Sequence, residues 1–504
     1  MHPITPRVPG FRTSSSVSAP VLPEAPGNEL GNAVVDEFTT AKAHANGSLA
    51  PPSYVIDGKT VVFGNILKVD SVIVLDVANK KSTVKAVVEF EISETGCPAI
   101  DLVPNATKVI VDGKEIDAAS YAEVPDPSGA SRFRIIGTEL EPGKHSVEIE
   151  YELSAGVRYS GDSVEFFVSK SDLDDRQMDE QSFPTNLEYD QYSGSLSFEV
   201  RGTETKHCVM TNGEVSEHDG KLVVTYPAHF NTASLFLNVI NPDKFVIIDD
   251  IYQGVNGDVP LRVYTPNNVS SEKEASSMGG DVSLKSLTLI FANEEPVSAT
   301  ATATRAAEIA KQALARLEKN FGAYPHPRLL VRVSGSGGME YSGATESDLR
   351  ALPHELHHQW FARSAQPANG NAGWIDEAHA SWDDKGAPTA TKQPDSPQKL
   401  SGFAPWHRIT PIAAYSHGAS VMAFLHGVFQ PKGGLVPVMA KFFAEFKDEV
   451  FTTEMFLAHL KEQGEGLAFD FDEFFRAQVY GTGLAVAAKR RPGSSGATRH
   501  ASPS

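Results

Sequence analysis

Residues 354–358 of this chain read HELHH, and residues 374–378 read WIDEA. His354 and His358 are four positions apart, so on a helix both imidazoles project from one face and can hold one ion. Eighteen residues separate His358 from Glu377, which adds a carboxylate. Two imidazoles and one carboxylate form a zinc set that leaves a fourth position open. The pattern predicts one Zn²⁺ per chain, held by His354, His358 and Glu377, with Glu355 as the general base.

The loop between the two segments favours a metal site over a solvent-exposed helix that carries this pattern without a metal. Residues 366–373 read QPANGNAG, a run of turn formers that lets the chain reverse. A second helix carrying Glu377 can then return against the first. Pro353 directly precedes His354, so we expect the first helix to begin there or to be kinked there.

The composition excludes several classes of partner. The chain has 504 residues and a formal net charge of −20, which disfavours nucleic acid or an anionic membrane surface as the main partner. No apolar run is long enough to span a bilayer, and the first fifty residues lack the apolar core of a secretory signal. We therefore expect a cytoplasmic protein, and the sequence carries no signal for its oligomeric state.

The periodicity of the sequence changes along the chain. Short β-branched and aromatic runs separated by turns predict an antiparallel β domain at 51–265, after a disordered leader at 1–50. A polar linker is expected at 266–284. Helical spacing dominates afterwards, and residues 285–484 form the predicted catalytic domain, followed by a disordered tail at 485–504.

Several motifs in this order resemble those of the aminopeptidase N-type zinc aminopeptidases, a branch of the gluzincins. HELHHQWF is similar to that family's zinc helix and WIDEAHASW to its second ligand helix. GGME at 337–340 resembles its strand that binds a free amino terminus, and YSHGAS at 415–420 its tyrosine motif. The resemblance implies a multidomain α+β protein, with an N-terminal antiparallel β-sandwich or saddle followed by a thermolysin-like zinc catalytic domain.

The resemblance also implies a role for each motif residue. Tyr415 would donate a hydrogen bond to the oxyanion of the tetrahedral intermediate. Glu340 would pair with the α-ammonium of a peptide substrate, while Gly337 and Gly338 would let the backbone approach that substrate closely. Asp384 matches an acidic position that could orient a metal ligand. The implied activity is removal of amino-terminal residues from peptides.

Some positions depart from the family pattern. Tyr341 stands where the family has asparagine, and His417 where it has lysine. The family's glutamine contact to the amino terminus has only two candidates, Gln177 and Gln181. His357 and His379 follow or precede ligands but point away from them on a helix, and we interpret both as structural. The chain stops near the end of the catalytic domain, so we expect an open cleft that admits larger peptides.

Two alternatives remain open at this point. A zinc endopeptidase or another hydrolase could use the same scaffold, and the sequence does not decide between exo and endo action. A catalytically inert relative could use the scaffold for binding, although such a protein has no need of Glu355. The side-chain preference at the cleaved residue is not readable, because that pocket is built from dispersed positions.

Overall fold

The computed structural model describes residues 49–218, 221–268 and 298–482, all of which belong to one compact unit. The expected leader (apart from its last two residues), nearly all of the expected linker and the expected tail therefore lie outside the described residues. The apolar run at 287–291, which the sequence predicts to be a strand, also lies outside them. Within the described ranges, no helix is both long enough and apolar enough to cross a bilayer.

The first half of the described chain is built of strands. Their bounds are β1 (Tyr54–Ile56), β2 (Lys59–Val62), β3 (Asn65–Asp76), β4 (Lys81–Ile92), β5 (Cys97–Pro98), β6 (Ala106–Val111), β7 (Lys114–Ile116), β8 (Tyr121–Pro125), β9 (Arg132–Ile136), β10 (Gly143–Glu152), β11 (Val157–Ser160), β12 (Ser163–Phe167), β13 (Ser193–Arg201), β14 (Cys208–Thr211), β15 (Glu214–His218), β16 (Lys221–Tyr226) and β17 (Leu237–Ile240). Alternate residues of β4 are buried, from Ser82 to Ile92, because side chains of a strand point to opposite faces.

The largest sheet has the order β15-β16-β13-β3-β4-β10-β6-β7, and a second sheet has the order β11-β12-β17-β14. Both sheets contribute to one hydrophobic core, with Ile73 and Val88 from the first and Phe166 and Val239 from the second. Burial of these side chains drives the two sheets together. Smaller sheets are β1-β2-β5 and β8-β9.

The expectation of an antiparallel β domain is wrong at two pairs of strands. β2 runs parallel to β5, with Val61 opposite Cys97. β13 runs parallel to β3, with Ser193 opposite Lys68 and Arg201 opposite Asp76. A hairpin joins strands that are antiparallel, whereas a parallel neighbour needs a long crossover. Nine intervening strands provide that crossover between β3 and β13, so the sheet is mixed.

Two strands at the end of the expected β domain share a sheet with strands that follow residue 298. β18 (Phe245–Gly254) and β19 (Gly257–Pro266) join a sheet with β20 (Leu329–Val333), β21 (Gly338–Tyr341) and β22 (Ala344–Ser347), in the order β18-β19-β20-β22-β21. β19 pairs in parallel with β20. The sequence of the β18-β19 hairpin has the same pattern as the strands before it. Its pairing, however, places it in the sheet beside the helix of the HELHH motif, called the metal-motif helix below. A further short pair is β23 (Gln366–Pro367) with β24 (Val450–Phe451).

Seven α-helices occur in the described ranges. They are α1 (Ala299–Phe321), α2 (Leu352–Phe361), α3 (Trp374–Asp384), α4 (Ala419–Val428), α5 (Val436–Phe446), α6 (Thr453–Gln463) and α7 (Phe471–Gln478). α2 begins at Leu352 with Pro353 in its first turn, so the proline lies at the start of the helix and does not kink it. α2 packs against α3, against α1 and against β21. This packing places the helix of the HELHH motif beside the edge strand of the five-stranded sheet.

Candidate metal centre and active site

Three side chains from α2 and α3 converge at one point. His354, His358 and Glu377 each offer one ligand atom, and the three atoms lie within 4.8 Å of one another. Glu377 Oε2 is 3.2 Å from His354 Nε2 and 3.6 Å from His358 Nε2. The two histidines share a face of α2, and α3 returns antiparallel through the Gly-rich loop.

The cluster has the chemistry of a metal site. Both ring nitrogens of His358 are buried and lack a hydrogen-bond partner in the described chain, although a buried polar atom is normally satisfied. A divalent cation at the convergence point would satisfy its Nε2. Two imidazoles and one carboxylate are a donor set that suits zinc. The three residues therefore fit the ion that the sequence predicts.

Acidic residues of α3 lie near the Nδ1 atoms of the two histidines, on the side away from the convergence point. Asp384 Oδ2 lies 2.6 Å from His354 Nδ1, and Asp376 Oδ2 lies 3.4 Å from His358 Nδ1. Burial opposes protonation of His354, but its hydrogen bonds to Asp384 and Glu377 outweigh burial and raise its pKa to about 10. Burial also opposes ionisation of Glu377, but the positive charge of His358 is the largest of the effects that outweigh burial and lower the pKa of Glu377. At His354, the carboxylate on the far nitrogen fixes the ring and its tautomer.

His357 and His379 contact each other between α2 and α3. His357 Nε2 and His379 Nδ1 are 2.7 Å apart, and His357 Nδ1 is 3.3 Å from Asp383 Oδ2. Phe321 and Phe361 pack around the two rings. This pair thus belongs to the packing between α1, α2 and α3.

Glu355 lies on α2 against the backbone of Gly338 in β21. A Cβ atom at Gly338 would lie 2.4 Å from the Glu355 carboxyl group, so glycine leaves room for this group in its present position. Burial, followed by the negative charge of Glu340, raises the pKa of Glu355 to about 8. Gly337 adopts a φ of 65°, which favours glycine, and its N–H donates to Asp348. The two glycines thus turn the chain and bring β21 up to Glu355.

Glu340 is buried and already has a cationic partner. Arg363 Nη2 donates to Glu340 Oε1 at 2.8 Å, and Arg363 Nε donates to the Glu340 carbonyl at 3.1 Å. A carboxylate oxygen of Glu340 also lies within 4.8 Å of ligand atoms of His358 and Asp376. The strand motif is therefore beside the metal ligands, with its carboxylate held by an arginine.

Tyr415 reaches the cluster from a π-helical turn, Ala414–Gly418, directly before α4. Its hydroxyl donates to Glu377 Oε1 at 2.7 Å. Gly418 lets this turn approach α3, because a Cβ there would lie 2.7 Å from the Cβ of Ala378. His417, the departure from the family pattern, faces away and contacts the carbonyl of Gln478 in α7 at 2.9 Å.

Known structures share this architecture. An M1 zinc metallopeptidase from Deinococcus radiodurans aligns over 83% of this chain and 94% of its own, with a TM-score of 0.54 and 16% identity. Legionella pneumophila aminopeptidase A aligns over 83% of this chain and 49% of its own, with a TM-score of 0.58 and 14% identity. The chain has the M1 metallopeptidase fold. No protein-family model matches the chain, and no curated protein matches it.

Within this M1 fold, two residues near the cluster carry no motif and were missed by sequence reasoning. One is Arg363. The other is Asp172, whose carbonyl accepts from Thr410 N at 2.8 Å. Burial and then the charges of Glu377, Glu340 and Asp376 raise the pKa of Asp172. The two glutamine candidates for the contact to the amino terminus have other partners. The side chain of Gln181 donates to the Arg176 carbonyl, and the Gln177 carbonyl accepts from Ser171 N.

Proposed function

We propose that this protein is a zinc-dependent aminopeptidase that removes amino-terminal residues from peptides, with one zinc per chain. The convergence of His354, His358 and Glu377 within 4.8 Å, with Glu355 on the same helix, carries the proposal. Metal, base and substrate strand are the minimum set for hydrolysis of an amide at a defined end of a peptide.

Glu355 is the proposed general base. A zinc ion bound by the three ligands supplies a Lewis acid that polarises the scissile carbonyl and acidifies water. Glu355 accepts the proton of the attacking water and then passes it to the leaving amine. Its burial against Gly338 keeps the carboxylate in one place and excludes competing solvent.

Tyr415 is the proposed oxyanion donor. Burial, and next the charge of Glu377, raise the pKa of its phenol, so the hydroxyl stays protonated and available as a donor. Its hydrogen bond to Glu377 holds it beside the ligand set, and a small rotation would redirect it to a developing oxyanion. Such a donor stabilises charge that appears only in the transition state.

The exo character of the proposed reaction depends on the acidic groups beside the metal ligands. Glu340 lies on β21, at the edge of the five-stranded sheet, where an extended peptide can add its backbone. Asp172, from the segment after β12, adds a second acidic group near Glu377 and Glu340. The Glu340 carboxylate can attract a cationic amino terminus and fix the first peptide bond over the ligand set.

The ligands bound in structural relatives agree with a peptide substrate. A substituted form of the D. radiodurans metallopeptidase was solved with Tyr-Ser-Ala, and a substituted two-domain M1 zinc metallopeptidase was solved with L-arginine. The L. pneumophila aminopeptidase A was solved with aspartic acid. These ligands are a peptide and free amino acids, the substrate and product classes of an aminopeptidase.

A panel of aminoacyl fluorogenic substrates tests the proposal, with each substrate assayed before chelation, after chelation and after zinc is restored. We expect hydrolysis that disappears with chelator and returns with zinc. Each substrate has an N-acetylated counterpart. Equal rates on free and blocked substrates would remove the exo assignment and favour the endopeptidase, and no zinc-dependent hydrolysis at all would favour the inert binding relative.

A further inference from the structure

The Arg363 guanidinium contacts Glu340 at two points. Nε donates to the main-chain carbonyl and Nη2 to the carboxylate, so one rigid group spans the backbone and side chain of the same residue. The side chains are only 4% and 5% exposed, for Arg363 and Glu340 respectively. A planar fork that bonds both atoms fixes the direction of the carboxylate relative to β21.

The backbone of Arg363 ties the same residue to the metal-motif helix. Arg363 N donates to the His358 carbonyl at 3.0 Å, directly after the end of α2. Its own carbonyl accepts from Ser342 Oγ at 2.9 Å, two residues beyond Glu340. Arg363 therefore connects the C-terminal end of the helix that carries His354 and His358 to the strand that carries Glu340.

Another buried cation nearby has a different partner. Lys170 Nζ lies 2.6 Å from Asp179 Oδ1 and donates to the Thr232 carbonyl at 2.9 Å. It also lies over the ring of Tyr341, 5.6 Å from the ring centroid. Lys170 thus forms its ion pair with Asp179, whereas Arg363 is the counter-ion that permits burial of Glu340. A buried carboxylate without such a partner is strongly disfavoured.

Arg363 occupies only one oxygen of the carboxylate. Among the described residues, the hydrogen bond that Arg363 donates to the Glu340 side chain is accepted by Oε1. The Glu340 carboxylate also lies within reach of His358 and Asp376, so it faces the ligand cluster. Oε2 can therefore receive a hydrogen bond from a substrate while Oε1 stays on the arginine.

We propose that Arg363 is a positioning residue that sets the selectivity for a free amino terminus, by holding the Glu340 carboxylate beside the metal ligands. This inference rests on the proposed aminopeptidase function and goes beyond it, because it assigns the selectivity to an arginine outside every motif. Without Arg363, Glu340 loses its orientation and the favourable environment for its charge. The preference for free over blocked peptides then falls.

A binding experiment tests the proposal without relying on turnover. The zinc-loaded Glu355→Gln protein is titrated by calorimetry with trialanine and with N-acetyl-trialanine. The Kd for N-acetyl-trialanine divided by the Kd for trialanine gives the preference for a free terminus. Adding Arg363→Gln should lower this ratio roughly tenfold, the size expected when one charge-assisted hydrogen bond is lost. Zinc content should stay the same.

Further variants separate positioning from folding. Arg363→Lys keeps the charge but cannot span both oxygens, so we expect an intermediate ratio. Glu340→Gln should lower the ratio as much as Arg363→Gln, and the double variant should lower it no further, since both changes remove one interaction. Arg332→Gln is the matched control, because Arg332 pairs with Glu346 elsewhere in the same sheet and should leave the ratio unchanged.

The outcomes distinguish this inference from the proposed function. A ratio that is unchanged or raised in the folded, zinc-loaded Arg363→Gln protein overturns the role of Arg363, even if the wild type is an aminopeptidase. Loss of preference in that variant supports the role. If the wild type hydrolyses no peptide yet binds trialanine in an Arg363-dependent way, the aminopeptidase proposal fails while the assignment of Arg363 stands.

Discussion

The hydroxyl of Tyr415 donates to Glu377 Oε1 over 2.7 Å, while the other oxygen of Glu377 faces His354 and His358. One carboxylate therefore links the proposed oxyanion donor to the proposed metal ligands. Glu377 lies on α3 and Tyr415 on the π-helical turn, which packs closely against α3 through Gly418. The donor is thus placed by the same residue that completes the ligand set.

Replacing Tyr415 with phenylalanine removes this donor and keeps the ring. We expect kcat to fall by about 10² to 10³, because a lost oxyanion donor costs transition-state stabilisation, while KM changes little. Steady-state kinetics with a free-terminus peptide gives both constants. Tyr480→Phe is the control, since Tyr480 also bonds a glutamate, Glu454, but far from the ligands. Equal losses in both variants would contradict the role of Tyr415.

Asp384 should tune the affinity for zinc through His354. Asp384→Asn weakens the bond to His354 Nδ1, so we expect zinc affinity to fall by roughly 10-fold to 100-fold. Competition with a chromogenic chelator measures the change. Asp383→Asn is the matched control one residue earlier, because Asp383 contacts His357 and Arg316. The account is wrong here if Asp383→Asn releases zinc as readily as Asp384→Asn.

Gly338 should be required for the position of Glu355. In Gly338→Ala the new Cβ would overlap the Glu355 carboxyl group, which must move because it is the flexible end of its side chain. We expect kcat to fall by at least about 10-fold, with zinc content unchanged, since a displaced general base loses much of its effect. Gly335→Ala provides the control, because a Cβ there meets nothing within 4 Å. Full activity of Gly338→Ala would place the base elsewhere.

Glu188 should make stability depend on pH. Burial raises its pKa from 4.5 to about 7, and its Oε2 is buried without a hydrogen-bond partner. The folded state then holds a proton that the unfolded state releases, so this group's contribution is fully present below pH 4.5 and is lost as pH rises through 7. Glu188→Gln abolishes the loss and should gain ~3 kcal/mol relative to wild type between these limits.

Denaturant unfolding at pH 4.5 and at pH 8 measures the difference for Glu188→Gln, and other titrating groups cancel because both proteins share them. Glu91→Gln, on the exposed face of β4, controls for loss of a surface carboxylate. A stability difference between Glu188→Gln and wild type that shrinks as pH rises would contradict the assignment.

Features encoded in short stretches of sequence were predictable. The helical spacing of His354 and His358, the turn-forming loop and Glu377 all act over fewer than thirty residues, and the structure brings those three ligand atoms together. The expected role of Gly338 was to let the backbone approach a substrate, whereas in the structure its missing side chain leaves room for Glu355 of the HELHH motif. Local periodicity also predicts the mostly helical character of the chain from the HELHH helix onward.

Features that depend on long-range pairing were not predictable. The parallel pairing of β3 with β13 joins residues more than a hundred positions apart, and a strand reads the same whichever neighbour it chooses. The same ambiguity hid the place of β18 and β19. Asp172 and Arg363 carry no motif of their own, and only the folded chain shows that they lie beside Glu340 and the ligand cluster.

A paired measurement decides whether the metal ligands and Glu355 form a hydrolytic centre. Zinc content and peptide hydrolysis are measured together on the wild type and on Glu355→Gln. The account predicts about one zinc per chain in both proteins and a loss of at least 10³-fold in kcat for the variant. A wild type that binds no zinc, or a variant that hydrolyses peptides as fast as the wild type, would contradict it.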